Sequence, residues 1–258
     1  MNDQEELRND PLLAVLAGKS TLNRLELTPA GSPLTERYRK ITYSPEAIDA
    51  LLVDLFLEAH AKAPQRIVLD LDATDTPLDG RQEARFFHGY YNAYCYLPLY
   101  IFAGDHVLCA RLRPSNQDAS PDRIGASAGS REEVERIIRR IRTRWKHIRI
   151  VLRGDSGFCR EELMAWCEKH RVDYVFGLAR NARLRRIIGC ALHEAQQEHR
   201  RTGKAARVFT EFFYQTRKSW SRRRRVVAKA EQIEGKENPR YVVTSLGAEI
   251  WPAQKLYE

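Results

Sequence analysis

Two apolar, strand-like runs that each end in an aspartate constrain this chain more than any other feature. Residues 67–75 read Ile-Val-Leu-Asp-Leu-Asp-Ala-Thr-Asp and carry Asp72 at the end of one run. Residues 148–158 read Ile-Arg-Ile-Val-Leu-Arg-Gly-Asp-Ser-Gly-Phe and carry Asp155 at the end of another. Carboxylates from separate strands, brought to one sheet edge, can hold two magnesium ions for phosphodiester chemistry. Asp70 shares a strand face with Asp72 by period-two alternation, so it can support or replace it, and Asp75 is a further competitor.

The chain is 258 residues long, 43% hydrophobic and 30% charged, a soluble globular composition with room for one large domain or a domain with an insertion. No apolar run approaches the roughly 20 residues of a membrane span. The first ten residues are polar and acidic, without an export signal, so a cytoplasmic protein with no membrane partner is expected. The five cysteines are never in C-x-x-C spacing and read as reduced, mostly buried thiols. His193 and His199, six apart, suit no common zinc-ligand pair.

The net charge of +9 is concentrated. Between Arg200 and Lys229 stand eleven basic residues against one acid, Glu211. Such a block points to a polyanion, with nucleic acid the default, or else to a solvated basic face. Trp220, next to Arg222, Arg223, Arg224 and Arg225, reads two ways. It can stack on a splayed base while the arginines and Lys229 hold phosphates, or it can pack under a β-domain.

Along the chain, 1–43 reads as short helices and loops. A helix follows from a Ser44 cap and Pro45, with Ile48, Leu51, Leu52, Leu55 and Phe56 on one face and Pro64 as its end. A strand over 66–72 precedes an aromatic, β-prone stretch over 88–102, which turns at Gly104-Asp105 into a second strand to form a hairpin. These aromatics read as sheet core and strand pairs rather than a base-binding platform. An amphipathic helix over 131–145 leads to a strand at 148–152, then a helix (160–170), a strand (172–178) and a helix (183–200). From about 205 the period shifts towards two, giving strands at 206–216, 224–230 and 240–245. Three meandering strands and a helical crossover can set the fourth strand parallel to and beside the first. Asp72 and Asp155 then meet, in the connectivity of the ribonuclease H-like fold. The expected class is α/β, a mixed sheet flanked by helices with a β-rich insertion. Its divisions are an N-terminal helical segment (1–64), the first part of the catalytic core (65–200) and a basic β-rich insertion (201–258).

Seven stretches resemble bacterial insertion-sequence transposases with a DDE catalytic domain, of the group 1 type. They are LDLDATD (69–75), FFHGYYNAYCYLPLYIF (86–102), RLRPSN (111–116), IVLRGDSGF (150–158), YVFGLARNARL (174–184), SWSRRRRVVAK (219–229) and RYVVTSL (240–246). The resemblance implies cut-and-paste DNA transposition by metal-dependent strand cleavage and transfer. It implies Asp72, in a D-x-T setting, and Asp155 as catalytic, metal-holding acids. It also implies two Mg2+ ions, with Mn2+ able to substitute, double-stranded DNA at element ends as partner, and a homodimer at full length. The family's third acid, a glutamate in a Y-x-x-R-x-x-x-E-type setting, has no match after Leu246, and Glu258 has no helix around it. The expectation is therefore a fragment with impaired activity.

Two other readings stay open beside this one. One is a non-catalytic DNA-binding fragment. The other is a haloacid dehalogenase-like phosphatase, since Asp70-Leu71-Asp72-Ala73-Thr74 fits D-x-D-x-T with Asp70 as nucleophile. That fold needs a helical crossover where this chain continues into an aromatic hairpin, and Cys159 stands where its further aspartate is expected.

Overall fold

The computed structural model describes residues 44–78, 80, 82, 85–89, 91–115 and 129–257. Residues 1–43 of the expected N-terminal segment, and Glu258, lie outside them. The chain divides into two units, Met1–Leu51 and Leu52–Glu258. Of the first, only the start of helix α1 (Pro45–Glu58) is described, and there the Ser44 hydroxyl accepts the Ala47 amide at 3.2 Å, as a cap should. All that follows concerns the second unit.

Strand β1 (Arg66–Ala73) alternates, with Ile67, Leu69 and Leu71 buried and Val68 and Asp70 on the other face. The short strands β2 (Thr76–Pro77), β3 (Phe86–His88) and β4 (Ala93–Tyr96) form a separate sheet in the order β2-β4-β3. The aromatic stretch is thus divided between strands. At Leu97-Pro98 the chain leaves this small sheet and enters β5 (Leu99–Ala103), which pairs antiparallel with both β1 and β6 (His106–Arg111). Gly104, at φ 58°, makes the β5–β6 turn in the left-handed region that glycine favours.

Helix α2 (Ser130–Arg144) is the crossover. Val134, Ile137, Ile138 and Ile141 form its buried stripe, with Glu132 and Glu133 in its first turn and Arg142 and Arg144 in its last, as the helix dipole favours. It delivers the chain to β7 (Arg149–Gly154), parallel to and beside β1. Helix α3 (Glu161–Lys169) then leads to β8 (Asp173–Gly177), parallel to β7. The expected helix over 183–200 is two, α4 (Ala182–Ile187) and α5 (Gly189–Thr202), meeting at Ile188-Gly189.

The basic segment extends the same sheet. Strands β9 (Ala206–Tyr214), β10 (Arg224–Ile233), β11 (Lys236–Glu237) and β12 (Arg240–Thr244) follow, and β12 pairs antiparallel with β8. The order is β11-β10-β12-β8-β7-β1-β5-β6, with β9 on β10, so 201–258 joins the core edge to edge. Helix α5 packs on β9 and β10. The result is a large mixed sheet flanked by helices, consistent with a ribonuclease H-like fold.

One packing expectation is corrected. In α1 the buried face is Val53, Phe56 and Leu57, whereas Ile48, Leu51 and Leu55 are exposed. The helix carries two apolar stripes, and its tertiary neighbours select the second. Arg144 of α2 donates to the Leu57 carbonyl at 2.7 Å, and Arg140 grips Asp54 in a bidentate pair.

Candidate active site

The registers of β1 and β7 fix the place of the two aspartates. Leu69 lies opposite Leu152, Asp70 opposite Arg153 and Leu71 opposite Gly154. Asp72 follows Leu71 on β1, and Asp155 directly follows Gly154, the last residue of β7. Both residues therefore come one step beyond the last paired positions, at the carboxyl ends of adjacent parallel strands. Asp70 and Arg153 share a face, because their side chains form a bidentate ion pair, with Arg153 Nη2 2.8 Å from Asp70 Oδ2. Asp72 is two residues beyond Asp70 and so faces the same way.

This pairing separates the competing carboxylates. Asp70 is neutralised by Arg153, whereas Asp72 and Asp155 are both exposed and neither has a cationic partner among the described residues. Asp155 Oδ1 accepts the Gly157 amide at 2.8 Å, which orients the carboxylate and leaves its other oxygen open. The same pair bears on the phosphatase alternative, where Asp70 must attack as a free nucleophile. Here Asp70 is held by a guanidinium, and β1 pairs next with the antiparallel strand β5, with no helix between them among the described residues.

Two glycines make the Asp155 turn possible. A Cβ on Gly154 would stand 3.0 Å from the Phe158 ring, which is fully buried beneath the turn. A Cβ on Gly177, at the end of β8, would meet the Ser156 backbone nitrogen at 3.0 Å and the Asp155 carbonyl carbon at 3.2 Å. The backbone that carries Asp155 therefore lies directly on β8, where only glycine leaves it room.

Two exposed, unpaired carboxylates suit a hard divalent cation, which takes oxygen ligands. Among the described residues no cluster of three or more histidine, cysteine, aspartate or glutamate side chains is placed to hold a metal. All five cysteines are free. Burial pushes the Cys159 thiol, near the turn, up to about 12, so it stays protonated and inert.

The basic run is placed differently from a solvated stripe. Trp220 is 6% exposed, edge-to-face on Tyr214 at 5.8 Å, in the packed arrangement rather than the base-stacking one. Arg224 is 3% exposed and bonded to both Glu161 and Glu168 of α3, at 2.6 and 2.7 Å. Arg225 is also buried and bonds Glu211 and the carbonyls of Leu246 and Trp251. Both arginines open β10, a strand flanked by β9 and β12, which is why the sequence's most cationic point is interior. Burial alone would push the Arg224 guanidinium down, but its bonds to Glu168 and Glu161 outweigh that and raise it. For Glu161 and Glu168 burial pushes upward, and the hydrogen bonds from Arg224 prevail to hold both below the ordinary carboxylate range. Lys229 pairs with Glu231 at 3.3 Å. Arg222 and Arg223 present guanidinium groups to solvent, although Arg222 also reaches Glu168 at 2.7 Å.

Residue-type reasoning passed over Arg153 and Gly177. The signal for Arg153 was its offset: it stands two residues before Asp155, as Asp70 stands two before Asp72.

The chain has no match among curated proteins. No helix among the described residues is long and apolar enough to cross a membrane. The family described as transposase DDE domain group 1, whose members generally act on DNA with a divalent metal, matches over residues 1–258. With a mixed sheet that sets two acids on adjacent parallel strand ends, this chain belongs to the DDE-family transposases.

Proposed function

We propose that Asp72 and Asp155 are the first two acidic ligands of the transposase centre, and that the ions they hold are Mg2+, with Mn2+ able to substitute. The observation that supports this reading is the β1–β7 register, whose last pair, Leu71 and Gly154, immediately precedes the two aspartates, together with the Arg153 ion pair that occupies Asp70. Bound divalent ions supply Lewis-acid stabilisation of the charge on the attacking and leaving oxygens of a phosphodiester. The chain's part is to concentrate negative charge at one open sheet edge and to fix the Asp155 carboxylate through the Gly157 amide. The substrate is double-stranded DNA at element ends, and the working assembly is a homodimer. Among the described residues no third acid joins the pair.

Nicking of supercoiled plasmid with Mg2+ or Mn2+ tests the reading. Parent chain should show metal-dependent nicking above background, and Asp72→Asn and Asp155→Asn should each remove it while Asp70→Asn retains it. Loss in Asp70→Asn, with Asp72→Asn unaffected, would move the centre to Asp70. Metal-independent DNA binding with no nicking by parent chain would favour a DNA-binding role without cleavage.

A further inference from the structure

The β8–β12 junction leaves a cavity of about 760 Å3 that begins at Asp155 and Ser156. Its other walls come from 177–180, at and just after the end of β8, from 236–242, which span β11 and the start of β12, and from Tyr257. Three cations line it: Arg180, Lys236 and Arg240. All three are exposed, and none has an acidic partner among the described residues. The lining carboxylate besides Asp155 is Glu237, and it is already taken. Arg185 donates to both of its oxygens, at 3.0 and 3.1 Å. The cavity thus holds three uncompensated positive charges at one side of an uncompensated carboxylate.

That arrangement has a physical consequence for a polyanion. Asp72 and Asp155 by themselves repel a phosphodiester, so a strand reaching them needs cations close by that are not already neutralised. Arg224 and Arg225 cannot serve, since they are buried in ion pairs. Arginine and lysine around a groove hold DNA through its phosphates, independent of sequence. A volume of this size also falls within the range of pockets that enclose a small-molecule-sized group, about 300–1,000 Å3.

We propose that Arg180, Lys236 and Arg240 are phosphate-positioning residues that hold the backbone of the DNA strand entering at Asp155. The proposal rests on Asp155 marking the centre, and it concerns binding rather than chemistry, so the two can fail separately. For every phosphate that these cations no longer neutralise, the slope of log K against log salt should shrink by about 0.9.

The test is equilibrium binding of the full chain to a short duplex, by fluorescence anisotropy without divalent metal, across a salt series. The triple variant Arg180→Ala/Lys236→Ala/Arg240→Ala should lose about two to three units of slope and bind about tenfold or more weakly at low salt. The charge-conserving triple Arg180→Lys/Lys236→Arg/Arg240→Lys should keep the parent slope. Should the alanine triple fold poorly, the single variants Arg180→Ala and Lys236→Ala, both at exposed positions, should each lose about one unit. As a second readout, bound duplex should protect Lys236 from acetylation and leave exposed Lys169 as reactive as before. Parent-like slopes in the alanine variants, or equal Lys236 reactivity with and without DNA, would overturn the proposal. Separately, Mn2+ binding unchanged in Asp72→Asn and Asp155→Asn would overturn the reading of the centre, whatever the salt series gives.

Discussion

Arg224 and Arg240 lie at opposite ends of the same sheet segment and are treated in opposite ways. Arg225, next to Arg224, pairs in register with Thr244 at one end of β12, while Arg240 pairs with Lys229 at the other. At the Thr244 end the guanidinium groups of Arg224 and Arg225 are buried and each has a carboxylate: Arg224 with Glu161 and Glu168, Arg225 with Glu211. At the Arg240 end, Arg180, Lys236 and Arg240 stand open beside a cavity, with no acid paired to them among the described residues. Residues of one chemical type thus serve cohesion at one end and are free for a polyanion at the other. Local charge density in the sequence cannot distinguish these uses, whereas burial and ion pairing do.

The largest expected effect lies at the cohesive end. Arg224→Ala leaves Glu161 and Glu168 without their shared counter-charge and should cost about 3–5 kcal/mol of stability by denaturant unfolding. Arg224→Lys should recover only part of that, because one ammonium cannot reproduce the four bonds that the guanidinium makes to the two carboxylates. A loss within about 0.5 kcal/mol for Arg224→Ala would place this arginine with the solvated cations and break the comparison.

Next comes Gly177→Ala. Its Cβ would press on the Asp155–Ser156 backbone rather than on a flexible side chain, so a stability loss of about 1–3 kcal/mol should come with weaker Mn2+ binding. Weakened stability with parental metal binding would show that the Asp155 turn moves without disturbing the carboxylate.

The acid limb of stability should follow the same network. Glu161 and Glu168 are held below their unfolded range, so the stability they add is complete above the unfolded values and is lost as pH falls through the lowered folded ones. Thermal midpoints of parent and Arg224→Ala should therefore converge as the solution is acidified below the usual carboxylate range. A gap that stays constant to low pH would assign the Arg224 contribution to packing.

The smallest effect belongs to Arg222→Ala/Arg223→Ala. Both side chains are exposed, and folding stability should stay within about 0.5 kcal/mol of the parent by urea titration.

Where the sequence was legible, one physical signal dominated. The runs 67–72 and 149–154 are apolar enough that β1 and β7 could be little else, and the crossover helix carries a clean stripe from Val134 to Ile141. Those three elements set β1 parallel to and beside β7, the strands that lead to Asp72 and Asp155. What escaped were places where two signals compete. The aromatic stretch reads as one β-prone run because it is rich in Tyr, Phe and Ile, yet Leu97-Pro98 divides it between two sheets. Helix α1 has two apolar stripes, and only its tertiary neighbours choose Val53, Phe56 and Leu57. The arginine run advertises a surface, and the carboxylates that bury it, Glu161 and Glu168, sit two turns apart on a helix some sixty residues earlier. The cavity cations are scattered between 180 and 240, so no window of sequence displays them together.

The proposed centre has Asp72 and Asp155, and not Asp70, as the residues that hold divalent metal. Its most direct test is Mn2+ binding by electron paramagnetic resonance titration of the parent chain and the three single Asp→Asn variants. Asp72→Asn and Asp155→Asn should each weaken binding by about tenfold or more, with Asp70→Asn close to the parent. Binding that survives both of the first two substitutions, or that is lost only with Asp70→Asn, would contradict it.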